Sequence, residues 1–350
     1  MGRRMRSRIA AVGLVAVLAG VIGICRVNKN NRSCTEQLFA MDTFMSFTAY
    51  GRECEEAVSE AVSEVKRLDA LLSAQDTSSE VAEINRAKRG TLSEDTLVVF
   101  ERAMDIYEET GGLFDFTVYP LMKLWGFPTR EYHVPAEEEI QAVLPHVDAS
   151  GVRRDGDGIV LGEEQEIDFG GIAKGYASSR IMEIFRSHGI TSGMVSLGGN
   201  VQVLGRRPDQ SRWQVGIQNP GGAQGEVLAV VEAEDQAVIT SGGYERYFEE
   251  NGNTYIHILD PRTGYPANGD LISVTVVSED GTLADALSTS LYIMGYKDAV
   301  KYWQEHWAEF DMVLVMEQGE LYVTEGLRDR FRSEEDYTIL TKRLDEAPGT

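Results

Sequence analysis

The chain has 350 residues, with 33 Lys and Arg against 56 Asp and Glu and a formal net charge of -23. A body this acidic repels nucleic acid and anionic lipid surfaces, which argues against partners of either kind for the folded part. An anionic ligand would need a metal ion or local basic groups to compensate.

The chain begins with Arg3, Arg4, Arg6 and Arg8, followed by an uncharged, apolar stretch from Ile9 to Cys25. A basic segment before an apolar one reads as an export signal or a short membrane anchor. By the positive-inside rule the arginines stay in the cytoplasm and the body lies on the extracytoplasmic side of the cell membrane. A lipoprotein signal ending at Cys25 is the alternative; Ile24 is larger than the small residue expected there, which favours a retained anchor over a lipid. Cys25, Cys34 and Cys54 are the three cysteines, so a disulfide framework is excluded for the body. A Cys34–Cys54 bridge and free thiols both remain open.

The predicted boundaries are an anchor or signal at 1–27, a linker at 28–37, one domain at 38–330 and a polar tail at 331–350. Phe39 to Tyr50 alternates as a strand, and helical periodicity marks Glu55–Leu72, Ser93–Glu109, Glu137–Leu144 and Asp298–His306. Val195–Leu204, Trp213–Ile217, Val227–Val231, Leu271–Val277 and Met312–Met316 read as strands. Strands mixed irregularly with long helices predict an α+β fold: a single elaborate domain of mixed, mainly antiparallel sheet with packed helices.

Three clusters carry candidate chemistry. Glu166 to Gly175 reads as a strand end, a Gly170-Gly171 turn and a helix opening at Ala173, with Ala177, Ile181, Ile184 and Phe185 on one stripe and Gly189 as C-cap. Small residues before a helix N-terminus admit an anionic group, and Lys174 adds a positive charge. An ordinary strand-to-helix turn with a surface Lys accounts for the same residues.

From Ser241 to Pro266, a Ser-Gly-Gly turn, a short apolar run holding His257 and an Asp-Pro-Arg-Thr-Gly-Tyr-Pro turn form a hairpin-like unit. His257, one of 5 histidines, is a candidate for proton transfer beside a rigid turn. A strand histidine bonded to a backbone carbonyl is the plainer reading. Gly281 to Gly295 is a helix with Leu283, Ala286, Leu287, Leu291 and Met294 on one stripe. Asp285 and Thr289 are one turn apart and together suit a hard cation such as Mg2+. Thr282 and Asp285 equally fit a capping box.

Together these elements resemble one family, the ApbE-like flavin transferases or FAD:protein FMN transferases. The resemblance runs from about Phe39 to about Met316. In order it comprises Met41-Asp42-Thr43, Ser79-Glu80 with Asn85, Gly111 to Asp115 with Thr117-Val118, Ile167 to Gly175, Ser196 to Asn200, Ser241-Gly242 with Tyr244, His257 to Pro266, and Ala284 to Thr289. It implies Mg2+-dependent transfer of FMN from FAD to a Thr or Ser hydroxyl of another protein, with release of AMP. By that resemblance Met41, Leu113, Phe114, Asp115, Asp168, Lys174 and Leu259 contact FAD. The Gly171 carbonyl, Asp285 and Thr289 bind the metal, and His257 is the base. The implied partners are FAD, an acceptor flavoprotein or redox-pump subunit, and the membrane through the N-terminus. Two departures stand out: Gln75 where members present an aromatic residue, and Asp42 where Gly is usual. An FAD pyrophosphatase, with water replacing the hydroxyl, would use the same residues. A non-catalytic flavin carrier would need no base.

Overall fold

A computed structural model describes residues 32–223 and 225–342. The predicted anchor at 1–27, with Cys25, lies outside the described residues, as do positions 28–31 of the linker and 343–350 of the tail. Among the described residues no helix is long and apolar enough to cross a membrane.

The chain starts with β1 (Ser33–Ala40) and β2 (Thr43–Tyr50), then α1 (Cys54–Leu72), α2 (Glu80–Ala87), β3 (Arg89–Thr91) and α3 (Glu94–Glu109). Next come α4 (Tyr119–Leu124), α5 (Glu137–Val143), β4 (Arg153–Asp155), β5 (Gly158–Val160) and α6 (Ala173–Ser187). A run of strands follows: β6 (Ser192–Leu197), β7 (Asn200–Gly205), β8 (Trp213–Gln218), β9 (Val227–Ala233) and β10 (Ala237–Gly242). The hairpin β11 (Tyr247–Glu250) and β12 (Asn253–Ile256) precedes β13 (Leu271–Ser278) and α7 (Gly281–His306). The described chain closes with β14 (Asp311–Met316), β15 (Leu321–Thr324), β16 (Phe331–Ser333) and β17 (Tyr337–Leu340).

The fold is α+β and mainly antiparallel. Its main sheet has nine strands in the order β1-β2-β6-β7-β10-β13-β14-β15-β17, with only the β15–β17 pair parallel. Residues of β14 alternate between two cores, as the twofold side-chain period of a strand requires: Met312 and Leu314 face the helices, Val313 and Val315 the small sheet β16-β9-β8. A third apolar cluster around Trp125, Phe127, Ile140, Phe248 and Leu259 underlies one end of the molecule. β13 and the first half of α7 are buried almost throughout, which makes this the rigid centre.

Several boundaries differ from the sequence prediction. Phe39–Tyr50 is a hairpin, because Met41 and Asp42 turn with φ of 47° and 58°. Both arms alternate alike, so the sequence does not betray the reversal. Val195–Leu204 divides in the same way at Gly198-Gly199, with φ of 63° and 96°. The hairpin's first arm reaches back to Ser33, so 33–37 is strand and not linker. The predicted tail is corrected as well: β16 pairs with β9 and β17 with β15, so the domain continues to at least Leu340. The helix predicted to end at Gly295 is interrupted there (φ 76°, ψ 170°) and resumes to His306. Its N-cap is Asp280, whose Oδ1 accepts from Thr282 N at 2.9 Å and Leu283 N at 3.1 Å, so Asp285 does not cap this helix. Cys34 and Cys54 form a disulfide that joins β1 to α1.

Candidate active site

One cavity of about 630 Å³ opens where the β1–β2 turn, the ends of α1 and α3, the start of α6, the segment after β12 and the first half of α7 converge. Every predicted site residue lines it: Met41, Leu113, Phe114, Asp115, Asp168, Gly171, Lys174, His257, Leu259, Asp285 and Thr289.

Much of the sequence signature is scaffold. Ser79 caps α2 by accepting from Ala82 N at 2.9 Å, and Glu80 Oε1 accepts from Ser93 N at 2.9 Å. Asn85 clasps the backbone of Ile167 on both sides, donating to its carbonyl at 2.8 Å and accepting from its N–H at 2.7 Å. That clasp fixes the segment on which Asp168 sits; the strand end predicted at Ile167 to Phe169 is not formed, and only an isolated bridge between Val118 and Glu166 precedes it. Asp115 is also heavily engaged: its carboxylate accepts from Thr117 N at 2.8 Å, Thr117 Oγ1 at 2.6 Å and Ala149 N at 3.2 Å. Its position in the cavity wall is therefore that of a loop brace. Burial raises the pKa of Asp115, opposed by these donors.

The oxygen donors come together across α6 and α7. Gly175 lets the helices touch: a Cβ there would press on the Gly281 carbonyl and lie 2.6 Å from Asp285 Cβ. At that crossing Asp285 Oδ2 accepts from Gly175 N at 2.8 Å, while Oδ1 lies 4.0 Å from Lys174 Nζ. Lys174 also donates to the Gly170 carbonyl at 3.3 Å. One turn along α7, Thr289 Oγ1 lies 3.2 Å from Ser241 Oγ, which is 2.7 Å from Ser288 Oγ. Burial pushes the Asp285 carboxyl up, and Lys174 pulls it down.

These residues fit a hard cation. Asp285, Thr289 and the Gly171 backbone supply oxygen only, from one helix and the turn that leads into another, as Mg2+ prefers. The buried Asn200 Nδ2 on the cavity wall makes no close hydrogen bond to any described group, but it stands near enough to the Asp285 carboxylate to help pull its pKa down. Among the described residues no group of three or more His, Cys, Asp or Glu is placed to hold a metal ion.

Opposite stands His257, just past β12. Its N–H and its Nδ1 both face the Arg246 carbonyl, at 3.0 Å and 3.1 Å. Surrounding protein lowers its pKa to about 4; the carbonyl opposes this, and the charges of Arg246 and Lys174 add to it. The imidazole is thus neutral at ordinary pH while still reached through the cavity. Leu259 is fixed by the bridge to Pro266, and the Asp260–Gly264 turn is tied down by Trp125 Nε1 donating to the Gly264 carbonyl at 2.9 Å. Asp168 accepts from Gly170 N at 2.9 Å; burial raises its pKa, opposed by that bond, Lys174 and Arg246.

Sequence reasoning missed Glu245 and Arg246. Burial pushes the Glu245 carboxyl up to about 7, Lys174 acting against it and Asp285 with it. Arg246 donates to the Phe127 carbonyl and lies 3.6 Å from Asp42, which also pairs with Arg130 at 2.5 Å. Asp42 thereby bridges the hairpin turn to two arginines at the cavity rim. The signal was present: two adjacent charges, Glu245-Arg246, stand one residue past the Gly242-Gly243 pair at the end of β10.

An oxygen-donor set, an ammonium and a neutral imidazole around one cavity are the components of an enzyme acting on phosphate esters. Comparison with known proteins narrows this. Residues 41–314 match the sequence model of the ApbE family. An FAD:protein FMN transferase of Treponema pallidum is 29% identical, covering 91% of this chain and 94% of that protein. One from Klebsiella pneumoniae is 30% identical over 76% of this chain and 84% of its own. The crystal structure of the ApbE protein of Thermotoga maritima superposes with a TM-score of 0.81 at 33% identity, covering 86% of this chain and 100% of that one. The flavin transferase ApbE of Vibrio cholerae gives 0.78 at 26% identity, covering 86% and 99%. The chain belongs to the ApbE family.

Proposed function

We propose that this chain is an FAD:protein FMN transferase that moves FMN from FAD to a Thr or Ser hydroxyl of an acceptor protein and releases AMP. The hydroxyl oxygen attacks the FMN-side phosphorus, the bond to the AMP phosphate breaks, and the hydroxyl proton passes to His257. The observation that carries the reading is the His257 imidazole held neutral, in one cavity with Asp285 and Thr289. With Nδ1–H given to the Arg246 carbonyl, Nε2 keeps the lone pair that a base needs.

Asp285, Thr289 and the Gly171 carbonyl would hold Mg2+, which neutralises pyrophosphate charge and improves AMP as leaving group. Lys174 adds a second cation against the phosphates. Leu113, Phe114 and Leu259 supply apolar wall for the flavin or adenine, with Met41 at the hairpin turn. Gln75 lines the cavity in place of an aromatic residue and offers an amide instead of a stacking face.

Exported placement fits the same reading. The basic and apolar start of the sequence supports an anchor, and the Cys34–Cys54 bridge suits an oxidising compartment. On this reading residues 1–27 are that anchor, and the catalytic body takes in the strands from Ser33 to Leu340.

The test uses the body with FAD, Mg2+ and candidate acceptor proteins, read by mass spectrometry. An acceptor gaining one FMN, with AMP released and both lost on EDTA treatment, is the expected result. AMP and free FMN without modified protein would instead make the chain a pyrophosphatase.

A further inference from the structure

We infer that the Phe39–Phe44 pair at the tip of the β1–β2 hairpin is the docking point for the acceptor protein, an inference that rests on the transferase reading above. The two phenylalanines are direct cross-strand partners with ring centroids 5.2 Å apart, yet they are 57% and 79% exposed. Two edge-to-face aromatics so open to water mark a contact site more often than a solvated surface.

The rest of their sheet face shows that this exposure is local. Behind the pair the same face carries Gln37, Ser46 and the hydrogen-bonded Thr35 and Thr48, 3.1 Å apart. At the far end Tyr50 is covered by Trp213 of the small sheet, with ring centroids 6.1 Å apart. On the next strand the chain beside Phe44 is the β6–β7 turn, where Gly198 N donates to the Phe44 carbonyl at 3.2 Å. Gly198 has no side chain to lay over the ring, and a Cβ there would run into Thr43. Nothing among the described residues covers the tip.

The occupant follows from what the tip adjoins. Phe39 and Phe44 flank a turn whose Met41, Asp42 and Thr43 line the cavity. A macromolecule that brings a hydroxyl to His257 must rest on the rim, and here an exposed apolar pair adjoins the Asp42–Arg130 ion pair. The segment before β1 joins at Ser33, the other end of the strand, roughly 20 Å away by strand rise. The tip therefore fits an acceptor segment with bulky apolar side chains beside its Thr or Ser.

The experiment compares wild type with a Phe39→Ser/Phe44→Ser double variant and the milder Phe44→Leu. Substrates are synthetic peptides with one Thr flanked either by apolar residues or by Gly and Ser, given FAD and Mg2+. The double variant is expected to raise KM for apolar-flanked peptides about tenfold at unchanged kcat, with Phe44→Leu close to wild type. Its KM for Gly/Ser-flanked peptides and its affinity for FAD stay as in wild type. Equal KM values for the apolar-flanked peptides overturn the inference. So does a variant that loses only vesicle binding or only self-association, which would assign the tip to lipid or to a second copy. A wild type that cleaves FAD but labels no acceptor, peptide or protein, removes the transferase reading and the docking with it. Labelling indifferent to the flanks removes the docking alone.

Discussion

His257 gives both its backbone N–H and its Nδ1–H to one atom, the carbonyl oxygen of Arg246, at 3.0 Å and 3.1 Å. The bond fixes the tautomer, and the low pKa of about 4 keeps the ring unprotonated. Replacing His257 with Ala is expected to lower transfer by ~10² to 10⁴-fold while FAD affinity holds, measured by acceptor labelling and flavin titration. The rate of the wild-type enzyme should not fall on the acid side through this group until pH approaches about 4. The sign for stability follows from the same shift. The unfolded histidine takes a proton below about 6.5 while the folded one resists it, so stability is full above 6.5 and declines as pH falls toward 4.

Asp285→Asn should keep the fold and lose the cation. Its buried carboxyl has a raised pKa, so an amide of the same shape is tolerated without metal. The expected signature is a thermal midpoint no longer raised by Mg2+, with transfer down by at least ~100-fold, several kcal/mol of lost charge stabilisation. A variant still stabilised by Mg2+ would move the metal elsewhere.

Gly175 sets the distance between α6 and α7. A methyl group there would lie 2.6 Å from Asp285 Cβ and strike the Gly281 backbone, which a helix pair cannot relieve by rotating a side chain. Gly175→Ala is expected to cost about 1–3 kcal/mol in chemical denaturation and to weaken Mg2+ binding.

Glu245 has a folded pKa raised to about 7 from 4.5. Between those values the folded protein keeps a proton that the unfolded chain gives up. Its contribution to stability is therefore complete below 4.5 and lost as pH rises through 7. Glu245→Gln should gain stability relative to wild type from pH 5 to pH 8 in the metal-free protein, read by thermal scans at each pH. A constant difference across that range would place the titration elsewhere.

The Cys34–Cys54 bridge closes a loop with a sequence separation of 20. Chain-entropy reasoning assigns it about 3 kcal/mol. Reduction, or the Cys34→Ser/Cys54→Ser variant, should lower the denaturation midpoint by a corresponding amount, with FAD affinity nearly unchanged because the bridge lies at the end of β1 away from the cavity.

The sequence by itself determined the pieces that depend on neighbours in the chain. Helical periodicity located α1, α3 and α6, and Gly295 stops the first half of α7 because its φ of 76° is a glycine conformation. The spacing of Asp285 and Thr289 put both on one helix face, and motif order named the site residues. Tertiary structure alone decided what those residues meet. Asp285 became a buried group on the α6–α7 crossing and not a capping residue, because Asp280 five positions earlier holds the helix end. The neutrality of His257 comes from the Arg246 carbonyl and from burial, and the raised pKa of Glu245 from a cavity wall assembled from distant segments. The Met41–Asp42 and Gly198–Gly199 reversals escaped the pattern because the two arms of a hairpin share one alternation. β16 and β17 escaped it because a strand of three or four residues is defined by its partner: residues 337–340 are strand only beside β15. Periodicity records which face a residue turns inward; which other segment waits there is set by pairing across hundreds of residues.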